Sequence, residues 1–503
     1  MRKKILLLCV SLVLALPGAA LAAKDTLRVG VGVDAKNLDP HHSTDSFSFG
    51  IIKQLYEPLF TVDSRTKKLV PVLVDKWEML DDSTYKLFLK KDVMFHNGEE
   101  LTSEDVVFTL MRIHKDSIFS QSFGRYIDPD GFKIIDKHTL IVKTQGPNSE
   151  FLTSMKHPYA SVMNKKAVTA AGREYFRKPV GTGAYKFKNW TKGESVDLER
   201  FDAYHGTPGN FAKMRFLVLP ENASRLIALE TGKVDMIYAV PFSDYDRLVR
   251  ENKVKVVEAP GLLLLHMGMN TQSPRLKDPR VRLAIEYAVN KEAYNQVVYD
   301  GHGAVPRGSL PPAALWFPEN AKAYPHDPAK ARELLREAGV KDLKLSLCTI
   351  NASDRVAGAT LLQAMLAEAG IQVEIQVVEN AMFDERIKKG DHDLFIATVG
   401  MQTNRSPGAY WYVLFLSNAA GFTNKAFVQD EALDKDILFA TSTVDDAKRL
   451  PAYQRIFDRL NELHPFVYLS HPNEIYAGSK DLEGMDELYD GKVNYLGHLR
   501  FKK

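Results

Sequence analysis

Apolar and polar positions change their spacing repeatedly along this chain, and the changes predict strands and helices in alternation. Residues 26–33 (TLRVGVGV) form an apolar run that predicts a buried strand, followed by a loop over 37–46 and an amphipathic helix through Tyr56. Residues 84–90 alternate and predict a strand, and Thr102 with Asp105 resembles a capping box opening a helix over 106–114. Residues 132–144 predict two strands around Asp136-Lys137-His138, and residues 223–231 a helix closed by Gly232 that leads into a strand over 234–238. After Pro260-Gly261 an apolar strand is expected at 262–269. From there, segments 279–290, 328–338, 343–350, 353–369, 371–378, 382–389 and 394–399 alternate between helix and strand. Asp327 before Pro328, with Gly339 at the far end, marks one helix at both termini. The fold class expected is α/β, with sheets covered by helices. The Pro-rich stretch 306–325 reads as a surface loop.

The first residues follow a different rule. Met1–Lys4 is basic, residues 5–16 are apolar apart from Cys9 and Ser11, Pro17-Gly18 breaks the run, and Ala20-Leu21-Ala22 places small residues where a signal peptidase reads. This is the pattern of a secretory signal peptide, with cleavage expected after Ala22 and a periplasmic destination. Removing Arg2, Lys3 and Lys4 changes the charge picture, because they supply the whole formal excess of +3. The remaining basic residues equal the 63 acidic ones, so no electrostatic footprint for nucleic acid remains. Beyond residue 23 no apolar stretch approaches the ~20 residues of a membrane helix, and the mature protein is expected to be soluble. At 503 residues, 45% of them hydrophobic, two or more domains are expected. One cysteine, Cys348, would remain, so no internal disulfide and no Cys pair for a metal is available.

Catalytic signatures are missing. The sequence has no HExxH, no Walker loop, no GxSxG and no dinucleotide fingerprint; Gly30-Val31-Gly32 lacks the third glycine and the helix. His41-His42 is a candidate start of a metal site, with a solvated loop as the plain alternative. Asp81-Asp82 and Asp445-Asp446 sit at a turn and a helix start, where a carboxylate faces exposed backbone N–H groups. Tyr410-Trp411-Tyr412 fits core packing on a helix as well as it fits a surface for stacking a ligand.

Several longer stretches, in order, resemble one family. They are Leu38-Asp39-Pro40, Tyr56-Glu57-Pro58-Leu59, the block 71–112, residues 179–190 (PVGTGAYKFKNW), 225–237 (RLIALETGKVDMI), Asn270 with 278–290 (DPRVRLAIEYAVN), and 327–339 (DPAKARELLREAG). This series, from about residue 26 to 480, is similar to the family 5 extracellular solute-binding proteins of ABC importers for peptides and nickel. It looks closest to the dipeptide- and glutathione-binding members. The resemblance implies a two-lobe periplasmic-binding-protein fold (type II-like) with an extra subdomain inserted in lobe I. By that likeness lobe I spans 23–261 plus 477–503, with the extra subdomain at 57–178, and lobe II spans 262–476. The chain would cross between lobes near 262–269 and 466–476.

The same resemblance implies a function and a site. A small peptide or peptide-like solute, glutathione among the candidates, would be enclosed between the lobes and delivered to an inner-membrane ABC permease with its ATPase subunits. No cofactor, no catalysis and no nucleic acid are implied, and a monomer is expected. The cleft would be lined from lobe I by Thr44, Asp45, Ser46 and Phe47, with Asp45 either pairing with a ligand ammonium or serving only at the helix start. From lobe II the segment after 394–399 corresponds to the family's specificity loop and holds Met401, Thr403, Asn404, Arg405, Tyr410 and Trp411. Many peptide binders place an aspartate where this sequence has Thr403, which weakens ordinary α-amine anchoring and adds Arg405 as a carboxylate partner. Arg355, at the start of the helix 353–369, is a second carboxylate candidate. A nickel or metal-chelate carrier is the nearest alternative, although no His or Cys lies between Asp393 and Asn418. A periplasmic enzyme and a sensory receptor on the same fold are the alternatives of another class.

Overall fold

The apolar run after Asp25 becomes the strand Thr26–Val31 and takes the centre of a seven-stranded sheet. The computed structural model describes residues 25–63, 68–120, 123–312, 314–319, 321, 323–401, 406–488 and 493–502. In spatial order this first sheet runs Lys255–Ala259, Glu474–Gly478, Met236–Ile237, Thr26–Val31, Lys213–Val218, Ser195–Arg200, Tyr185–Thr191. A second sheet has six strands, ordered Gly303–Ala304, Phe466–Pro472, Leu263–Met269, Leu394–Gly400, Lys344–Ile350, Gln372–Val378. The central strand of the second sheet is buried on two faces. Along Leu263–Met269, Leu265, Met267 and Met269 enter one core beneath the helices Pro279–Ala288 and Ser353–Glu368. Leu264 turns the other way, into a core with Trp411, Phe415 and Phe466. The period-two alternation of a strand is what feeds both layers from one segment.

A smaller unit is inserted into the first lobe. Its four strands, in the order Val74–Asp81, Thr84–Leu89, Thr139–Lys143 and Lys133–Asp136, pack with the helix Ser103–Lys115 around a core running from Leu59 to Val162. Asp105 accepts hydrogen bonds from the Thr102 backbone N–H at 2.9 Å and from Thr102 Oγ1 at 2.8 Å, which fixes the start of that helix. Met163, Val168 and Tyr175 pack into the core of the seven-stranded sheet instead, so the inserted core ends well short of residue 178.

The two large sheets are joined at two places. Lys255–Ala259 belongs to the first sheet and Leu263–Met269 to the second; Phe466–Pro472 belongs to the second and Glu474–Gly478 to the first. The return crossing therefore lies at Asn473, and the chain re-enters the first sheet at Glu474. The two crossings are pressed together: a Cβ on Gly261 would lie 1.7 Å from the Pro472 carbonyl oxygen, so only glycine fits there. Glu258 Oε1 accepts a hydrogen bond from Asn473 Nδ2 and lies 3.0 Å from His302 Nδ1. Burial pushes the Glu258 carboxyl up, but the hydrogen bonds from Asn473 and His302 outweigh it and leave the group lowered.

Several histidines are buried within these cores. Burial pushes His96, His392, His464 and His471 down to about 4, and His266 to about 3. Unfolded, each titrates near its ordinary value of about 6.5. Between those values the unfolded chain binds more protons than the folded one, so stability is complete above about pH 6.5 and is lost as pH falls. Each group contributes up to about 1.4 kcal/mol per pH unit within that window. The melting temperature is accordingly several degrees lower at pH 5 than at pH 7 by calorimetry; equal values would contradict the neutral, buried state of these rings.

Candidate functional site

The strand directions locate the cleft. Thr26–Val31 pairs in parallel with Lys213–Val218 and Met236–Ile237, and Lys255–Ala259 points the same way because both it and Met236–Ile237 run antiparallel to Glu474–Gly478. Their carboxyl ends therefore share the edge from which the chain leaves lobe I. In lobe II, Leu263 pairs with Gly400, and Lys344–Ile350 runs parallel to Leu394–Gly400, so Ile350 and Gly400 reach the edge at which the chain enters. The two lobes thus present carboxyl strand ends at the hinge side, the place where open α/β sheets bind ligands.

On lobe I this edge carries Val33, Asp34 and the start of the helix Ser46–Leu55. Thr44 is exposed, and Ser46 and Phe47 are half-buried. Asp45 is the N-cap: Oδ1 accepts from the Ser48 backbone N–H at 2.9 Å and Oδ2 from Ser48 Oγ at 2.8 Å. Phe47, Val33, Asp34 and Tyr238 border a cavity of about 10 Å³, room for a single water. Asp34 accepts from Trp190 Nε1 at 3.0 Å and from the Gly193 N–H at 2.7 Å, tying the hairpin beyond Tyr185 to the edge. Ala239, next to Tyr238, holds φ at +54° without being glycine, a strained conformation at the same edge. Sequence reasoning missed Val33, Asp34, Tyr238 and Ala239. Gly32 and the apolar run before Val33 were the available signal; nothing local marks Tyr238 or Ala239.

On lobe II, Arg355 lies in the first turn of Ser353–Glu368, just beyond the carboxyl end of Lys344–Ile350. Its side chain is 15% exposed, with Nη1 3.7 Å from Asp354 and Nη2 donating to Thr398 Oγ1 at 3.3 Å. Met401 is buried, and its N–H donates to the Leu262 carbonyl at 2.9 Å, fastening it to the crossing. Thr403, Asn404 and Arg405 lie outside the described residues, as does the expected leader 1–22. Trp411 has no exposed surface; its Nε1 donates to Ser309 Oγ at 2.9 Å and its ring packs edge-on against Trp316 and Tyr453. It builds the core of lobe II rather than an open stacking face. Tyr410 is buried in the same core, its hydroxyl without a partner among the described residues, and burial pushes that group far up.

Of the histidine pair, only His42, 36% exposed, keeps the solvated-loop reading. His41 is fully buried, so it is not a solvated loop residue, and His42 Nδ1 lies 2.9 Å from Asp39 Oδ2. Among the described residues no group of three or more His, Cys, Asp or Glu side chains is placed to hold a metal. A separate cavity of about 360 Å³ opens on lobe I at the far end of Ser46–Leu55, between Lys53, Tyr56, Glu57, Tyr204 and Tyr495, away from the cleft edge.

The motifs behind the sequence resemblance serve mostly as anchors. Arg112 Nη1 and Nη2 donate to both oxygens of Asp39, at 2.9 and 2.7 Å, so the Leu38-Asp39-Pro40 turn bolts the inserted subdomain to lobe I. Glu57 accepts from Tyr204 Oη at 2.6 Å and lies 2.8 Å from His205 Nε2. A Cβ on Gly181 would sit 2.0 Å from the Leu55 carbonyl oxygen, which is why glycine stands there. Arg225 donates to the Leu219 and Pro220 carbonyls, and Arg282 to those of Leu463, Leu276 and Lys277. Replacing Asp39 by alanine takes the two-pronged partner from the largely sheltered Arg112 (11% exposed) and leaves it only the exposed Asp116, 3.6 Å away. The expected cost is about 1.5–3 kcal/mol in urea unfolding followed by circular dichroism, the scale of lost hydrogen bonds to a charged group; a change below about 1 kcal/mol, the scale of a surface pair, would show the pair to be ornamental.

Comparison with known proteins agrees with this geometry. The family model "Bacterial extracellular solute-binding proteins, family 5 Middle" matches residues 68–421. The glutathione-binding protein GsiB of Pectobacterium atrosepticum is 28% identical over 474 residues, covering 92% of this chain and 91% of that protein. Its counterpart in Escherichia coli is 26% identical over 476 residues, covering 92% of each chain. Among solved structures, DppA from Helicobacter pylori in complex with the peptide STSA is 25% identical with a TM-score of 0.81, covering 96% of this chain and 99% of that one. CtaP from Listeria monocytogenes has a TM-score of 0.86 at 23% identity, covering 96% of this chain and 100% of that one. No helix among the described residues is long and apolar enough to cross a membrane. With the family match spanning most of its length and the two-lobe architecture in place, this chain belongs to the family 5 bacterial extracellular solute-binding proteins.

Proposed function

We propose that this protein captures a small, carboxylate-bearing peptide-like solute between its lobes in the periplasm and presents the closed form to an ABC permease. The observation that carries the reading is Arg355: a largely sheltered guanidinium in the first turn of a helix, at the cleft edge of lobe II. A carboxylate there gains a two-pronged contact and the helix N-terminus together. Arg405 supplies a second cation in the sequence segment that follows the same edge. The full-length likeness to glutathione-binding proteins supports a short peptide carrying more than one carboxylate. Export follows from the leader, cut after Ala22, and the protein acts as a monomer that breaks no bond.

Closure is the signal in this reading. A solute touching both lobes stabilises the closed form by its differential affinity for it. A shift from about 1% to 99% closed needs about 5.5 kcal/mol of such preference.

The test is a thermal-shift panel on protein unfolded, washed and refolded to strip carried ligand. Di- and tripeptides, glutathione, free amino acids, and nickel with and without histidine form the panel. A ligand at 100 times its dissociation constant adds about 2.7 kcal/mol of stability. Stabilisation by glutathione or another short peptide is expected, and Arg355→Ala weakens its binding by about 10- to 100-fold, the range of a hydrogen bond to a charged group. Stabilisation by nickel–histidine alone, or unchanged peptide affinity in both Arg355→Ala and Arg405→Ala, overturns the proposal.

A further inference from the structure

Away from the two crossings, the inserted subdomain touches lobe II, among the described residues, through the loop 148–150 and through Arg125 beside it. Ser149 N–H donates to the Thr441 carbonyl at 3.0 Å, and Ser149 Oγ reaches the Ala440 and Thr441 carbonyls at 3.0 and 3.1 Å. Those carbonyls end the helix Glu431–Ser442 and have no partner within it, so Ser149 supplies the missing donors. The next residue, Glu150, is buried and accepts from Ser406 Oγ at 2.6 Å and Tyr453 Oη at 3.4 Å. Ser406 is the N-cap of Pro407–Phe415, so the carboxylate sits where the positive end of that helix favours it. Beside the loop, the Arg125 guanidinium lies 4.3 Å from the centroid of the Tyr412 ring.

The chemistry is complementary at both points: a donor at one helix's carboxyl end and an acceptor at another helix's amino end. The loop itself is stiff, because the Glu150 N–H donates to Asn148 Oδ1 at 2.8 Å and Tyr85 Oη to the Asn148 carbonyl at 3.3 Å. The subdomain that carries it is bolted to lobe I by the Asp39–Arg112 pair. Swinging the lobes apart at Gly261 and Asn473 therefore means breaking these contacts and returning Glu150 to water.

We propose that the loop 148–150 is a latch for the closed form, with Glu150 the positioning residue that sets the open–closed equilibrium and, through it, ligand affinity. Its link to affinity rests on the solute-capture reading above, since apparent affinity scales with the fraction of binding-competent protein. Its effect on lobe separation does not need any ligand.

The test measures lobe separation in ligand-free protein produced without its leader. Spin labels go on cysteines introduced at the exposed positions Lys233 in lobe I and Lys341 in lobe II; Cys348 is buried and stays unlabelled. Pulsed electron resonance then reads the short-distance (closed) and long-distance (open) populations. Glu150→Ala is expected to lower the closed-to-open ratio by at least about tenfold, the scale of lost hydrogen bonds to a charged group. Glu150→Gln, which keeps an acceptor for Ser406, restores part of that loss. Tyr453→Phe and Ser406→Ala, which remove the donors on the other side, shift the ratio the same way and add less than fully to Glu150→Ala. These two variants carry the test if Glu150→Ala does not fold. Unchanged distances in all of them overturn the latch, and do so even if the thermal-shift panel finds its peptide. Opening by these variants together with a panel that stays silent keeps the latch and removes the solute reading alone.

Discussion

The constraint on which the rest depends is the close passage of the two crossing segments. Gly261 lies against the Pro472 carbonyl with no room for a side chain, and Asn473 and His302 converge on Glu258 beside it. Two chain segments pressed side by side form the kind of connection about which lobes close by hinging. The sheets feeding the crossings are oriented so that their carboxyl ends face this hinge. Cleft, hinge and strand direction are thus one arrangement, and the ligand site follows from the topology before any side chain is considered.

Rigid lobes are the second requirement, because a hinge reports occupancy only if what it joins does not deform. The family motifs supply this rigidity. Asp39 and Arg112 join the first cleft loop to the inserted subdomain, Glu57 receives Tyr204 and His205, and Arg225 and Arg282 tie neighbouring loops together through their backbone carbonyls. Few of these residues are free to bind a solute. The shared motif residues hold the frame, whereas in the proposed reading the solute is chosen by residues on the strand ends and the loops after them.

Much of the fold was legible. Asp327 with Pro328, Thr102 with Asp105, and the apolar runs at 262–269 and 394–399 all mark elements close to where the structure has them, because caps and periodicity are local signals. Long-range pairing was not. The strand Met236–Ile237 is two residues long and exists only through its neighbours, and Glu474–Gly478 joins the first sheet across more than two hundred residues of chain. The helix Asp446–Leu463 continues through Pro451, a residue that locally argues for a break. At the site, Arg355 was legible as a cation at a helix start, whereas Asp34 and Tyr238 join the cleft edge only through the parallel order of the sheet. Trp411 shows the opposite case: a composition that suits stacking, spent on packing against Trp316 and Tyr453.

Small-angle X-ray scattering is the most direct test of ligand-driven closure about a double crossing. It would be recorded on refolded, ligand-free protein and again with saturating glutathione, or with whichever peptide of the panel raises the melting temperature most. The account predicts a smaller radius of gyration with the bound peptide, while each lobe keeps its own dimensions. A peptide that binds tightly and leaves the scattering curve unchanged would contradict closure as the signal.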